Sequence, residues 1–203
     1  MPLFGVLALQ GDFREHLASL TNLGEVAVPV RTVEDLERID ALVIPGGESS
    51  VIDRLSRNYG LAEPIRRRIS EGMPAYGSCA GMIMLADRLE NPAVASNGAV
   101  QKTFGGIDMT VRRNAFGRQV DSFENRLEFN GTNIEAVFIR APEAVQVGEG
   151  VEVISTVPGA DPTSQGRIVA VRQGNLLATS FHPEVSGNAA IHEFFINITR
   201  GDA

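Results

Sequence analysis

The only cysteine of the chain, Cys79, stands in Tyr76-Gly77-Ser78-Cys79-Ala80-Gly81, between an apolar run and a helix-like run. A small-residue turn of this kind resembles an elbow that lifts a nucleophile out of a strand-to-helix bend. Far downstream, Ser180-Phe181-His182-Pro183-Glu184 carries an imidazole and a carboxylate two residues apart. Thiol, imidazole and carboxylate are the nucleophile, the acid/base and the orienting acid that acyl transfer requires. A free thiol near neutral pH is mostly protonated, so attack needs a histidine or a helix N-terminus beside it. Cys79 is expected to have both: His182, and a helix beginning around Ala80 whose N–H groups and dipole aim at the sulfur. Gly77 and Gly81 would relieve crowding in the bend. A lone cysteine is more often a small buried apolar residue, and it is the Gly-Ser-Cys-Ala-Gly setting that favours catalysis.

In extended chain, residues i and i+2 face the same way, so His182 and Glu184 are expected to project together, with Pro183 preventing helix formation between them. His16 falls inside the first predicted helix and His192 inside the last, where packing or a solvated face explains a histidine better than a role as base. An oxyanion needs donors. Gly46-Gly47 offers N–H groups that can approach a substrate closely, together with the N–H of Ala80 after the nucleophile. Glu48 beside them suits an amine, and Arg113 or Arg140 a carboxylate.

These residues need a scaffold, and the apolar runs supply one. Phe4 to Leu9, Val26 to Val30, Ala41 to Ile44 and Pro74 to Gly77 read as strands separated by helical stretches. Asp12 is positioned to cap the first helix, and Thr32 with Asp35 forms a capping-box pattern before the second. Alternating strands and helices imply a parallel sheet with right-handed crossovers, whose ligands collect at the carboxyl ends of strands. The Gly46-Gly47 loop and Cys79 both fall there. After Asn91 the pattern changes to period two, at Ile107 to Val111, Glu135 to Ile139, Val151 to Val157 and Ile168 to Val171, with turn signals at Pro158-Gly159 and Gln173-Gly174-Asn175. Leu176 to Phe181 leads straight into His182, and Ala189 to Thr199 has the spacing of a closing amphipathic helix. The expectation is an α/β, single-domain three-layer sandwich over residues 1–203: a mostly parallel sheet flanked by helices, with additional antiparallel strands in the C-terminal half.

Composition narrows the function classes. The chain has 203 residues, 43% of them hydrophobic, enough for one substantial core. Eighteen basic residues against 25 acidic leave a net charge of −7, and 6% aromatics without tryptophan make a poor base-stacking platform, so nucleic acid is not expected as a ligand. One cysteine forbids an intramolecular disulfide, Leu3 to Leu9 lacks the basic flank of a signal peptide, and no run spans a membrane. A cytoplasmic protein without cofactor or metal is expected.

Ala8-Leu9-Gln10-Gly11, Pro45-Gly46-Gly47-Glu48-Ser49, the Cys79 elbow, Arg113-Asn114-Ala115-Phe116-Gly117-Arg118-Gln119, Phe138-Ile139-Arg140-Ala141-Pro142 and the His182 segment resemble, from end to end, the glutaminase subunits of pyridoxal 5′-phosphate synthase. The elbow and His-Pro-Glu belong to class I glutamine amidotransferases at large. The Arg113 and Ile139-Arg140 segments are the specific part. The resemblance implies hydrolysis of L-glutamine to glutamate and ammonia through a thioester on Cys79, with His182 as acid/base and Glu184 as its orienter. Gly47, Glu48, Ser49, Arg113, Ile139 and Arg140 match the family's glutamine-contacting positions. It also implies a partner, a barrel-shaped synthase subunit that uses the ammonia, and it associates Gln10 with that interface and with the oxyanion hole. Ser50-Val51 departs from the threonine pair of many members, and Asn97 to Thr103 does not align. Three rivals share part of this pattern: an amidotransferase subunit of another pathway, such as imidazole glycerol phosphate synthesis; an elbow-bearing protease, deglycase or chaperone, in which the histidine follows the cysteine more closely; and a silent subunit that only binds a partner.

Overall fold

The apolar runs of the N-terminal half become β1 (Leu3–Leu7), β2 (Val26–Val30), β3 (Ala41–Ile44) and β4 (Ala75–Ser78), joined by α1 (Phe13–Asn22), α2 (Val33–Glu37), α3 (Ser49–Asn58) and α4 (Ala62–Ser70). After β4 come the short α5 (Ala80–Leu85) and β5 (Ala86–Leu89). The second half contributes β6 (Ile107–Arg112), β7 (Phe123–Phe129), β8 (Thr132–Phe138), β9 (Glu143–Val147), β10 (Glu152–Val157), β11 (Arg167–Gln173), β12 (Leu176–Thr179), α6 (Pro183–Ser186) and α7 (Ala190–Arg200). The structure is a computed structural model that describes residues 1–116, 123–158 and 166–203. Gly117, Arg118 and Gln119 of the Arg113 segment, and Gly159 of the expected turn, lie outside the described residues.

One sheet runs in the order β2-β1-β3-β4-β12-β11-β9-β6-β5, with β10 added on β11. β2, β1, β3, β4 and β12 are mutually parallel neighbours, whereas β11 pairs antiparallel with β12, β10 and β9. The strand interior alternates strictly. Ala41 and Val43 of β3 face a core shared with α1, α7 and the β7–β8 hairpin, while Leu42 and Ile44 face a second core under α2 to α5. A strand buried on both faces therefore reads as a continuous apolar run, and the three layers follow from its period of two.

The expected capping box is present, with Thr32 Oγ1 accepting from Asp35 N–H at 3.2 Å and Asp35 Oδ2 from Thr32 N–H at 3.1 Å. Two local expectations are corrected. Asp12 begins α1 without a side-chain cap bond, because its carboxylate faces His182 instead, at 3.6 Å. Pro183 does not prevent a helix: it opens α6, since a proline at the first helical position has no N–H to lose and its ring fixes a helical φ.

Candidate active site

Adjacent parallel strands bring distant residues together. β3, β4 and β12 are neighbours, and their carboxyl ends deliver Gly46-Gly47, Cys79 and His182 side by side. Cys79 N–H extends the β4–β12 ladder by one residue, donating to Thr179 O at 2.8 Å. β1, beside β3, contributes Gln10 and Asp12 to the same end. Gln10 Oε1 accepts from Glu48 N–H at 2.8 Å, and Gly46 O accepts from Asp12 N–H at 3.2 Å.

Cys79 adopts φ 47° and ψ −100°, a conformation that L residues avoid, and α5 starts at the next residue. The bend is compact because Gly81 lies against the carbonyl of Ile44, where a Cβ has no room. Gly46 is constrained by the site itself, since a Cβ there would run into the His182 ring. The cysteine is 6% exposed, with Sγ 3.8 Å from Ile139 O.

His182 Nδ1 lies 2.7 Å from Glu184 Oε1, so the first turn of α6 does what extended chain was expected to do. Burial alone would lower the His182 pKa. Its hydrogen bonds to Cys79 and Glu184, and their charges, outweigh burial and raise it from 6.5 to about 10. The atoms of Asp12, His182 and Glu184 that could ligate a metal lie within 4.8 Å of one another, but an ion there would displace the His182–Glu184 bond.

Gly47, Glu48, Ser49, Ala80, Arg113, Ile139 and Arg140, named from the sequence, share the wall of a cavity of about 30 Å³ beside the elbow. At that size it holds roughly one or two waters. Charged groups in its wall are paired with one another: Glu48 Oε1 accepts from Arg113 Nη2 at 3.1 Å, and Glu48 Oε2 is 4.0 Å from Arg140 Nη1. Ser49 Oγ is buried there without a hydrogen-bond partner among the described residues.

Sequence reading left His16 and His192 to packing or a solvated face, and both are fully buried. What it missed is their location: His16 sits between His192 and Glu184, behind the His182 ring. No local signal joins residues so far apart in the chain. Burial pushes His192 down to about 4, and burial, then the charges of His192 and His182, holds His16 well below its ordinary value. Between pH 6.5 and about 4 the unfolded chain therefore binds protons that the folded one refuses, and stability falls as pH falls. In His192→Phe, which keeps a ring but removes one such site, the loss of stability from pH 7 to pH 5 is expected to be smaller than in the wild type, as read by denaturant unfolding at both pH values. An equal loss would contradict the linkage.

A thiol on an elbow and an imidazole paired with a carboxylate, at the ends of neighbouring parallel strands, are the groups that acyl transfer through cysteine uses. The chain belongs to the SNO glutamine amidotransferase family, whose profile matches residues 6–200. It is 54% identical over 98% of its length to a protein of Arthrobacter sp. (strain FB24) named pyridoxal 5′-phosphate synthase subunit PdxT, covering 92% of that protein. It is 55% identical to the protein of the same name from Rhodococcus jostii (strain RHA1), with 98% of each chain covered. Among solved structures, one described as a glutamine amidotransferase matches at a TM-score of 0.84 and 44% identity, covering 97% of this chain and 98% of that one. No helix among the described residues is long and apolar enough to cross a membrane.

Proposed function

We propose that this chain is the glutaminase subunit of a cytoplasmic pyridoxal 5′-phosphate synthase, hydrolysing L-glutamine and passing ammonia to a barrel-shaped synthase subunit. The observation that carries the chemistry is the Cys79–His182–Glu184 constellation opening beside Glu48, Arg113 and Arg140. A free amino acid is a zwitterion. Its ammonium can replace the arginines at Glu48, and its carboxylate can replace Glu48 at Arg113 and Arg140, so the ligand opens the cavity by exchanging ion pairs rather than leaving charges unpaired. Glutamine's side chain would then reach past Ser49 and Ala80 toward the sulfur.

The Cys79 thiolate attacks the carboxamide carbon, and the oxyanion forms against the N–H groups of Gly47 and Ala80, in the loop formed by Gly46 and tied down by Gln10. His182 gives its proton to the departing nitrogen, and ammonia leaves as the C–N bond breaks. In the thioester the thiolate is gone, and with it two of the causes that raise His182, while burial remains. The neutral ring can then take a proton from water, whose oxygen attacks the thioester to release glutamate and restore the thiolate. Glu184 keeps the ring oriented through both steps. One imidazole serves as acid and then as base because acylation removes its anionic neighbour.

The test is glutamate release by the purified chain, alone and with the synthase subunit of a pyridoxal 5′-phosphate synthase. Release should rise when that subunit is added. Turnover unchanged by it, but raised by another amidotransferase's synthase, would assign the chain to another pathway. No turnover in any mixture would leave only a binding subunit.

A further inference from the structure

Three fully buried polar residues that this chemistry does not use lie behind the triad: His16, His192 and Ser78. His16 Nδ1 is 2.9 Å from His192 Nε2, and His16 Nε2 is 2.9 Å from Ser78 Oγ and 3.4 Å from Glu184 Oε2. The His16 ring is neutral and carries one proton, so its hydrogen bonds run in one of two directions.

The surroundings decide which. In one order His16 Nε2–H donates to Ser78 Oγ and His16 Nδ1 accepts from His192 Nε2–H, and this is the order chosen. The reverse order would aim a His16 lone pair at the Glu184 carboxylate and bury a His192 Nδ1–H with no acceptor, whereas the chosen order leaves only a bare lone pair there.

We propose that His16 and His192 are positioning residues for the triad: His192 fixes the His16 tautomer, and the His16 Nε2–H edge, 3.4 Å from Glu184 Oε2, steadies that carboxylate. The oxygen is fully buried and makes no hydrogen bond among the described residues, so the dipole of this ring is the polar group that faces it. With Oε2 held from behind, Oε1 stays on His182 Nδ1 and the imidazole stays aimed at Cys79. The hydrogen bond of this ring nitrogen is to Ser78 Oγ at 2.9 Å, and Glu184 Oε2 lies beside it at 3.4 Å. This deepens the triad reading above and rests on it.

The direct test needs no turnover. In the wild-type protein with ¹⁵N-labelled histidine, His16 should show the neutral Nε2–H tautomer at pH 7, and an Nδ1–H or charged ring would overturn the proposal. Two variants test the consequence. His16→Leu removes the donor, and His16→Gln keeps an amide N–H at its place. His16→Leu should lower kcat about 3- to 10-fold with KM within about twofold, the effect of losing one weak polar contact behind the triad. His16→Gln should recover most of kcat. Equal kcat in both variants would overturn the proposal. Should His16→Leu not fold, the tautomer and the kcat and KM of His16→Gln decide. A wild type that releases no glutamate would refute the glutaminase reading instead, and the tautomer result would be unaffected.

Discussion

Alanine at position 79 is expected to reduce glutamate release by at least about 10³-fold, and glycine there to be equally inactive yet more stable than alanine. The first half follows from covalent chemistry: without Sγ no thioester forms, and a water attacking unaided gains only what binding and the oxyanion donors provide. The second half follows from the backbone. φ 47° and ψ −100° cost an L residue on the order of 1 kcal/mol or more, and glycine relieves that strain. Alanine keeps the strain and loses the sulfur, so the Cys79→Gly midpoint in denaturant should exceed that of Cys79→Ala by an amount worth about 1 kcal/mol. Turnover in Cys79→Ala above about 0.1% of wild type would sink the covalent mechanism. A Cys79→Gly variant no more stable than Cys79→Ala would mean that the elbow is not strained.

The parts of this molecule legible in the sequence are those governed by short-range rules. Ala41 to Ile44 announces a doubly buried strand, the Thr32/Asp35 box a helix start, and the glycines around Cys79 an elbow, because each depends on neighbours within a few residues. β9 could not be read in this way: Glu143–Val147 is short, follows Ala141-Pro142 and is half polar, yet it joins β11 to β6. The site divides along the same line. Cys79, His182 and Glu184 carry motif signals, whereas His16, Ser78 and His192 meet only because α1, the end of β4 and α7 pack on one face of the sheet. Pro183 shows how a local rule can be misapplied: proline forbids a helix interior, not a helix start.

His182→Gln is expected to lose about 10²- to 10⁴-fold in glutamate release, the usual contribution of a positioned acid/base, and its stability deficit should depend on pH. In the wild type the His182 pKa is raised from 6.5 to about 10, so its contribution to folding is complete below 6.5, declines as pH rises through that interval, and is gone above about 10. Glutamine at 182 cannot take up that proton. Denaturant unfolding at pH 6, 8 and 10 should therefore show wild type and variant furthest apart at pH 6 and converging by pH 10. His182→Leu should be worse than His182→Gln at every pH, because the fully buried Glu184 carboxylate loses a donor that an amide can still supply. A pH-independent gap in His182→Gln would mean that His182 is not held protonated by Cys79 and Glu184, and that the imidazole enters the first step without the proton its leaving group requires.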